Sequence, residues 1–297
     1  MPPRSFSRNI DITFLRLLFS KAVANWSEDS VPRLAAAFSF YAVLSLAPLL
    51  VLAIVVAGGF FESGSVRTQL LGQVQSAVGK DGRELVATLI QNTYKPGATT
   101  IATVFSLIVT FFSASGLFIQ LTDVLNNMWG VTADPKQGFF KSLILTRFFA
   151  FLTVIVFGAI TLGWVALDFW LQWLEKHTAG FTGWPVVSIL VSIVFLTLVF
   201  AVSYKAMPKG KADWSDVWIG AFVASLGFAL AKFLLSLYFS YANVAGAFGP
   251  AGALILILLW IYYTSQIYFF GAELVYTYAH LGGTRRGFGD RRSTTYS

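Results

Sequence analysis

The chain has 297 residues, of which 56% are hydrophobic and only 12% are charged. A soluble domain carries about 25% charged residues, so half that share, with a mean hydropathy of +0.70, excludes an ordinary soluble globular protein. The net charge of +7 is more typical of basic cytoplasmic loops in a membrane protein than of nucleic-acid binding, and the lack of Cys excludes disulfide and thiol chemistry.

Residues 1–33 are predicted to form a cytoplasmic amphipathic segment rather than a cleavable signal peptide. Their apolar residues are interrupted by Arg8, Asp11 and Arg16, so the segment lacks the continuous apolar core of a signal peptide. Over residues 10–26, aromatic and leucine residues are mixed with basic ones. This pattern predicts a helix that lies on the cytoplasmic interface of the membrane.

Six segments of the chain are long and apolar enough to cross a bilayer, which requires about 20 mostly apolar residues. They lie at 34–61, 99–125, 143–171, 184–204, 217–239 and 249–279. The predicted fold is therefore all-α: a polytopic membrane helix bundle of about six transmembrane helices, with short amphipathic interfacial helices. The transmembrane domain is predicted to cover residues 34–280, and the basic cytoplasmic tail at 281–297 is predicted to be disordered.

The longest predicted outer loop, residues 62–98, contains two runs of apolar residues on either side of Gly82. The first run is Val66, Leu70, Val74 and Val78, and the second is Leu85, Leu89 and Ile90. This spacing predicts two short helices. Two interpretations are open: the helices form a lid over an outward-facing cavity, or they form a hairpin that rests on the bilayer.

The basic residues predict the orientation of the bundle. Fifteen of them fall in the N-terminal segment, in or beside alternate connections, and in the C-terminal tail: Arg4, Arg8, Arg16, Lys21, Arg33, Lys136, Lys141, Arg147, Lys205, Lys209, Lys211, Arg285, Arg286, Arg291 and Arg292. Five fall in the other connections: Arg67, Lys80, Arg83, Lys95 and Lys176. Because basic residues collect on the cytoplasmic side, the N-terminus is predicted to be cytoplasmic, and an even number of spans places the C-terminus there too.

The second predicted span carries a stripe of polar and small residues at intervals of three or four. Side chains at this spacing share one face of a helix, and lipid does not satisfy their hydrogen-bonding groups. The stripe therefore faces either other helices, through close packing and interhelical hydrogen bonds, or water in a cavity. The candidate cavity residues on this span are Ser106, Thr110, Ser113, Gln120, Asp123, Asn126 and Asn127.

The last two predicted spans add further candidate residues. The fifth has a face of small residues, which predicts close helix packing: Gly220, Ala224, Gly227 and Ala231. Lys232 lies beside this face, and it is either a functional group, with Asp168 as the best match in depth, or a side chain that snorkels to the outer interface. The sixth span contributes Gln266 and Glu273, of which Glu273 is predicted near the cytoplasmic interface.

No constellation of catalytic residues is found in the sequence. The two histidines, His177 and His280, are predicted near opposite faces of the membrane, so they do not share a metal site. Phosphate-binding loops, nucleophile elbows and zinc-protease motifs are absent from the sequence. We therefore expect no enzymatic activity, no metal and no cofactor.

Three groups of residues resemble signatures of the YihY/BrkB family. They are AAAFSFY at 35–41 with SLAPL at 45–49, SASG at 113–116 with DVLNNMW at 123–129, and GPAG at 249–252 with LWIY at 259–262 and GAEL at 271–274. The resemblance implies a six-span bacterial inner-membrane protein; members have been linked to serum resistance or to export of envelope lipids or small molecules, and some were mislabelled ribonuclease BN. It marks Asp123, Asn126, Trp129 and Glu273 as motif positions, without established roles.

The expected function is that of a transporter or flippase-like exporter of a lipid or amphiphilic small molecule in the bacterial inner membrane. The alternatives are a non-transporting scaffold or assembly factor for the cell envelope and, with less support, a ribonuclease. The expected partners are membrane lipids, a lipid or amphiphilic substrate and further copies of the chain in a homo-oligomer, but not nucleic acid. A polar cavity that reaches the middle of the membrane would favour transport.

Overall fold

The computed structural model describes residues 11–58, 63–93, 116–131, 183–208, 212–241 and 250–285, together with individual positions between 152 and 178. Within these residues the chain is helical apart from short turns and contains no strand, which confirms the predicted all-α class. The continuously described helices are α1 (Ile12–Glu28), α2 (Val31–Gly58), α3 (Ser63–Thr93), α4 (116–128), α5 (Trp184–Ala206), α6 (Trp214–Tyr241) and α7 (Pro250–Leu281). The described positions between 152 and 177 are helical as well.

Within the described residues, three helices are long and apolar enough to cross a membrane. The segments that qualify are Val186–Ala206, Trp214–Leu235 and Gly252–Leu281, and they correspond to the fourth, fifth and sixth predicted spans. A shorter apolar stretch, Val31–Leu46, lies in α2 at the first predicted span. The second and third predicted spans fall largely outside the described residues, so the total of six stays a prediction.

The outward faces of α5 and α6 carry continuous apolar stripes. Exposed large hydrophobic side chains recur every four residues: Val186, Leu190, Val194 and Leu198 on α5, and Trp218, Phe222, Leu226, Leu230 and Leu234 on α6. Side chains at this spacing lie on one face of a helix. An exposed apolar surface of this extent is unsuited to water and suits the hydrocarbon of a bilayer.

The central helix is α7, which contacts α1, α2, α3, α5 and α6. It approaches α6 closely, because a Cβ added at Gly220 would overlap Val275 and the carbonyl oxygen of Gly271. A Cβ added at Gly227 would lie 2.9 Å from Ile267. Small residues permit such an approach between helices, so the packing interpretation of the small-residue face is confirmed.

Hydroxyl groups connect α5 to α6 and α7 inside the bundle. Thr197 and Ser225 share a hydrogen bond of 2.8 Å between their hydroxyl oxygens. Tyr204 Oη donates to the carbonyl oxygen of Tyr268 at 2.6 Å, and the hydroxyls of Ser203 and Tyr268 are also hydrogen-bonded. These interhelical bonds satisfy polar groups that lipid does not.

The N-terminal helix α1 crosses α7 rather than running alongside it. Phe14 packs edge-to-face on Tyr278 with ring centroids 6.1 Å apart, and Asn25 Nδ2 donates to Thr277 Oγ1 at 3.0 Å. Phe14 and Asn25 are about 16 Å apart along a helix, yet their partners on α7 are adjacent residues. Between them, Leu18 is completely buried in the contact with α7.

The predicted outer loop is a helical hairpin, α3, with its turn at Gly79. Gly79 has φ 82° and ψ −174°, a conformation that residues with a Cβ rarely adopt. The prediction of two helices is confirmed, but the break precedes Gly82, which is helical and buried. Val86 and Ile90 of the second arm pack with Ile257 of α7, so the hairpin is docked on the bundle.

Candidate functional site around Glu273 and Asp216

Glu273 lies on the central helix with its side chain completely buried. Successive residues of an α-helix are rotated by about 100°, so the direction of Glu273 follows from its neighbours. Tyr276 faces α4, where its ring centroid lies 5.4 Å from that of Trp129. Thr277 faces α1, through its hydrogen bond with Asn25. Glu273 falls between these two directions, in the corner where α1 and α4 approach α7.

Gln266 lies on the same side of α7 as Glu273, because seven residues complete nearly two helical turns. It is half-buried and lies about 10 Å from Glu273 along the helix axis. On the adjacent side of α7, Phe269 packs edge-to-face on Phe38 of α2 with ring centroids 5.7 Å apart. The structure thus places both sixth-span candidates on one side of α7, with Glu273 fully enclosed and Gln266 partly accessible.

Aromatic and basic side chains hold the end of α4 against α7. The ring of Trp129 is nearly perpendicular to that of Tyr276, at 88°, and its centroid lies 6.4 Å from that of His280. The guanidinium carbon of Arg285 lies 5.3 Å from the Trp129 ring centroid, which is the geometry of a cation–π contact. The family resemblance marked Trp129, and these contacts show that it anchors α4.

Asp216, in the first turn of α6, is also completely buried. Thr284 Oγ1 donates a hydrogen bond to Asp216 Oδ2 at 2.6 Å, and Gly283 packs directly on the carboxylate, since a Cβ there would overlap Oδ1. A helix N-terminus favours a negative charge, so the start of α6 suits this carboxylate. Residues 282–285 therefore join α7 to α6 through Asp216 and to α4 through Trp129; we call them the C-terminal clasp.

The first residues of the predicted disordered tail, 281–285, are ordered in the structure. The backbone N–H groups of residues 282 and 283 both donate to the carbonyl oxygen of Tyr278, at 3.0 and 2.8 Å. The N–H of Arg285 donates to the carbonyl oxygen of Ala279 at 3.0 Å. These bonds satisfy carbonyl groups at the end of α7, so helix capping orders the start of the tail. The polar composition of the tail does not indicate this capping. Residues 286–297 lie outside the described part of the chain.

Two residues of the predicted polar stripe lie on the side of α4 that faces away from the core. Asp123 and Asn127 are exposed, whereas the opposite side of the helix is buried in the main apolar core through Val124, Leu125 and Met128. The two interpretations of the stripe, close packing and a cavity wall, both stay predictions. Of the other candidates, Gln120 and Asn126 are half-buried, while Ser106, Thr110 and Ser113 lie outside the described residues.

Lys232 is exposed on α6. It lies about 27 Å along the helix from Trp214. The candidate span ends three residues later, at Leu235. Its neighbour Phe233 is exposed as well, so this face of α6 points away from the bundle. The position suits snorkelling to the interface; Asp168, the partner considered from the sequence, lies outside the described residues.

The described residues include no group of three His, Asp or Glu side chains that could hold a metal ion. His177 stacks on Trp173 with ring centroids 4.2 Å apart, and its Nδ1 lies 2.8 Å from the Trp173 carbonyl oxygen. His280 likewise lies against Tyr276, with a centroid distance of 4.2 Å. Each histidine thus contacts a residue one turn earlier in its own helix.

Asp216 is the main site residue that the sequence interpretation missed, although the sequence contains a signal for it. The small-residue face of α6 includes Gly220 and Ala224, and one step of four residues towards the N-terminus leads to Asp216. A carboxylate on the continuation of a packing face is predicted to be buried. Thr284 and Arg285 carry no such signal, because their contacts depend on how the chain turns after α7.

Comparison with known proteins gives a consistent group of relatives. The model of the family described as Virulence factor BrkB matches residues 22–294. A UPF0761 membrane protein of Ralstonia nicotianae is 27% identical over 294 residues, which cover 96% of this chain and 63% of that protein. YfkH of Bacillus subtilis, which is named a ribonuclease-like protein, is 23% identical over 273 residues, covering 89% of this chain and 94% of YfkH.

The first four relatives are longer than this chain, which spans between 48% and 63% of their length. One of them, a UPF0761 membrane protein of Chlorobium phaeobacteroides, is 27% identical over 286 residues, covering 93% of this chain and 62% of its own. No solved structure matches the chain.

Proposed function

This chain belongs to the Virulence factor BrkB family, and from that premise we propose that it is a transporter or flippase-like exporter of a lipid or amphiphilic small molecule in the bacterial inner membrane. The observation that carries the proposal is the complete burial of Glu273 within the candidate span Gly252–Leu281 of the central helix. Ionisable residues inside membrane spans are costly, and they mark substrate and ion pathways.

A purely structural helix junction does not need such a residue. Apolar side chains of similar volume often replace a buried charged group with no loss of stability. Glu273 is therefore proposed to bind a proton or a cationic group during the transport cycle. Its place between α1 and α4 means that a change in its charge acts on both helices.

The exposed polar residues of α4 support the same function. Asp123 and Asn127 are exposed on the side of α4 that faces away from the apolar core. We propose that they face the path of the polar part of the substrate. Trp129, at the end of the same helix, holds this face in position through Tyr276.

The test uses the purified full-length chain in vesicles that carry a fluorescent phospholipid in both leaflets, with a proton gradient across the membrane. A membrane-impermeant reductant bleaches only the outer leaflet, so transport exposes inner-leaflet probe. We expect Glu273→Gln to slow this exposure about tenfold or more, because the variant removes the ionisable group from the span. Glu175→Gln, which changes an exposed carboxylate, serves as the matched control.

The outcomes separate the role of Glu273 from transport itself. Equal rates for the wild-type chain and Glu273→Gln would overturn the role of Glu273 alone. Failure of the monodisperse wild-type chain to move the probe would overturn phospholipid transport and favour the second candidate function, a membrane scaffold. Close contact of α6 with α7 through Gly220 and Gly271 suits a rigid scaffold. For a scaffold, the Glu273→Gln variant would restore the envelope of a deletion strain as well as the wild-type chain does.

A further inference from the structure

The docking level of the hairpin α3 follows from one aromatic contact. The rings of Phe228 on α6 and Trp260 on α7 meet edge-to-face at 6.0 Å, so the two residues lie at the same level. The candidate span of α6 ends at Leu235, seven residues after Phe228. These seven residues correspond to about 10 Å along the helix. Trp260 packs in turn against the apolar cluster that includes Val86 of α3. The hairpin is therefore docked about 10 Å inside the span.

Contacts with α2 give the same level independently. Val43 and Leu46 pack against the hairpin cluster, and they follow the start of α2 at Val31 by about 18 and 22 Å. A hydrocarbon core is about 30 Å thick. Both interpretations considered from the sequence placed this loop outside the membrane, whereas these contacts place it beside the middle and outer parts of the spans.

The surface that α3 turns away from the bundle is entirely polar among the described residues. Apart from glycines, its exposed members are Thr68, Gln73, Lys80, Asp81, Arg83, Glu84, Thr88 and Gln91. Glu84 and Thr88 each lie two residues from Val86, within about 3 Å of its level. At a similar level on α6, the exposed residues Leu226 and Leu230 are apolar.

At the same depth, the exposed surface of α3 is thus polar and that of α6 is apolar. The apolar surface of α6 suits lipid, but a surface with carboxylate, guanidinium and amide groups is costly in hydrocarbon. Polar surfaces at membrane depth occur where they line a water-filled cavity. We infer that the polar face of α3 lines a water-filled vestibule, which enters the bilayer from the side opposite α1 and reaches at least the level of Trp260.

The vestibule goes beyond the proposed function: such a cavity favours transport, but its presence is tested without any measurement of transport. It lies towards the opposite end of α7 from Glu273 and Asp216: Trp260 is ten residues from Pro250, where α7 begins, whereas Glu273 is eight residues from Leu281, where it ends. A water-exposed thiol ionises and reacts with maleimides far faster than a thiol in lipid, because the thiolate is the nucleophile. The chain has no Cys, so each introduced Cys is the single reactive thiol.

The test compares single-Cys variants in spheroplasts and in inside-out vesicles with a charged, membrane-impermeant maleimide. Gln73→Cys and Thr88→Cys probe the polar face, Leu226→Cys is the lipid-facing control, and Lys176→Cys is the exposed control. We expect both α3 variants to react at least about tenfold faster than Leu226→Cys, and only from the side on which Lys176→Cys reacts. Labelling after denaturation confirms that each thiol is present, and monodisperse elution confirms folding.

Two results would overturn the vestibule. In the first, Gln73→Cys and Thr88→Cys of the folded protein react as slowly as Leu226→Cys, whichever side of the membrane the maleimide is added to. This result would place the polar face in lipid. The other is slow labelling together with disulfide-linked dimers of Thr88→Cys, which would show that a second copy covers the face. Neither result depends on lipid movement, so the vestibule and the transport proposal fail separately.

Discussion

Thr284 and Asp216 show how a surface residue satisfies a buried charge. The Thr284 hydroxyl is on an exposed residue, yet it donates to a carboxylate that is completely buried. Hydrogen bonds to ionised groups are shorter and stronger than neutral ones, and the 2.6 Å distance is consistent with one. The position of this pair, at the junction of α6 and α7, makes it important for the C-terminal clasp.

Replacing Thr284 with Val is expected to destabilise the protein by about 1.5–3 kcal/mol, because a hydrogen bond to a charged group is lost while the carboxylate stays buried. Unfolding of the purified chain in detergent measures this change. Thr68→Val is the matched control, since that hydroxyl is on an exposed residue and donates to the carbonyl oxygen of Gly64 in its own helix. The double variant Asp216→Asn with Thr284→Val should lose less than the sum of the two single losses; additive losses would contradict the pairing.

At the scale of the element, α1 has two adjacent leucines with opposite environments. Leu18 is completely buried in the contact with Leu274 of α7, whereas Leu17 is 48% exposed. The sequence pattern predicted that residues 10–26 form an amphipathic helix, and it gave no reason to distinguish the two leucines. The contact with α7 shows that only one of them belongs to the packed interior.

We therefore expect Leu18→Ala to destabilise the protein by about 2–5 kcal/mol, which is usual for truncating a buried leucine. Leu17→Ala should change stability by about 0.5 kcal/mol or less. Thermal unfolding of the two variants in the same detergent makes the comparison. Equal, small effects would mean that α1 rests on the membrane without docking on α7.

The hairpin α3 illustrates what spacing leaves open within an element. The apolar runs predicted two helices, and the structure contains them. Both Gly79 and Gly82 are able to make the turn, and nothing in the apolar spacing distinguishes them. The tertiary packing places the turn at Gly79, which has the positive φ, because Gly82 is buried in a helical position.

At the scale of the whole molecule, the excess of basic residues predicts the orientation. Fifteen basic residues on one side against five on the other favour cytoplasmic termini, because basic loops resist translocation. Alkaline phosphatase fused after residue 297 should be inactive and green fluorescent protein fused there fluorescent. The same reporters placed after Lys176 should give the reverse result. Active phosphatase at the C-terminus would contradict the orientation and the even number of spans.

The sequence by itself determined the all-helical class, the three apolar spans that the structure describes, the family and the small-residue face of α6. These properties depend on composition, periodicity and motif spacing, which are local. The sequence also identified Glu273, because an ionisable residue inside an apolar run is visible without any contact.

Only the tertiary structure decided which polar residues are enclosed. Asp216 is buried because the chain turns back after α7, and Lys232 is exposed because α6 presents that side outwards. Asp123 and Asn127 of α4 face away from the core. The level of α3 beside the spans was equally unpredictable, since it depends on contacts with α2 and α7. Burial is set by which helices meet, and in a chain with so many apolar faces the sequence allows several such arrangements.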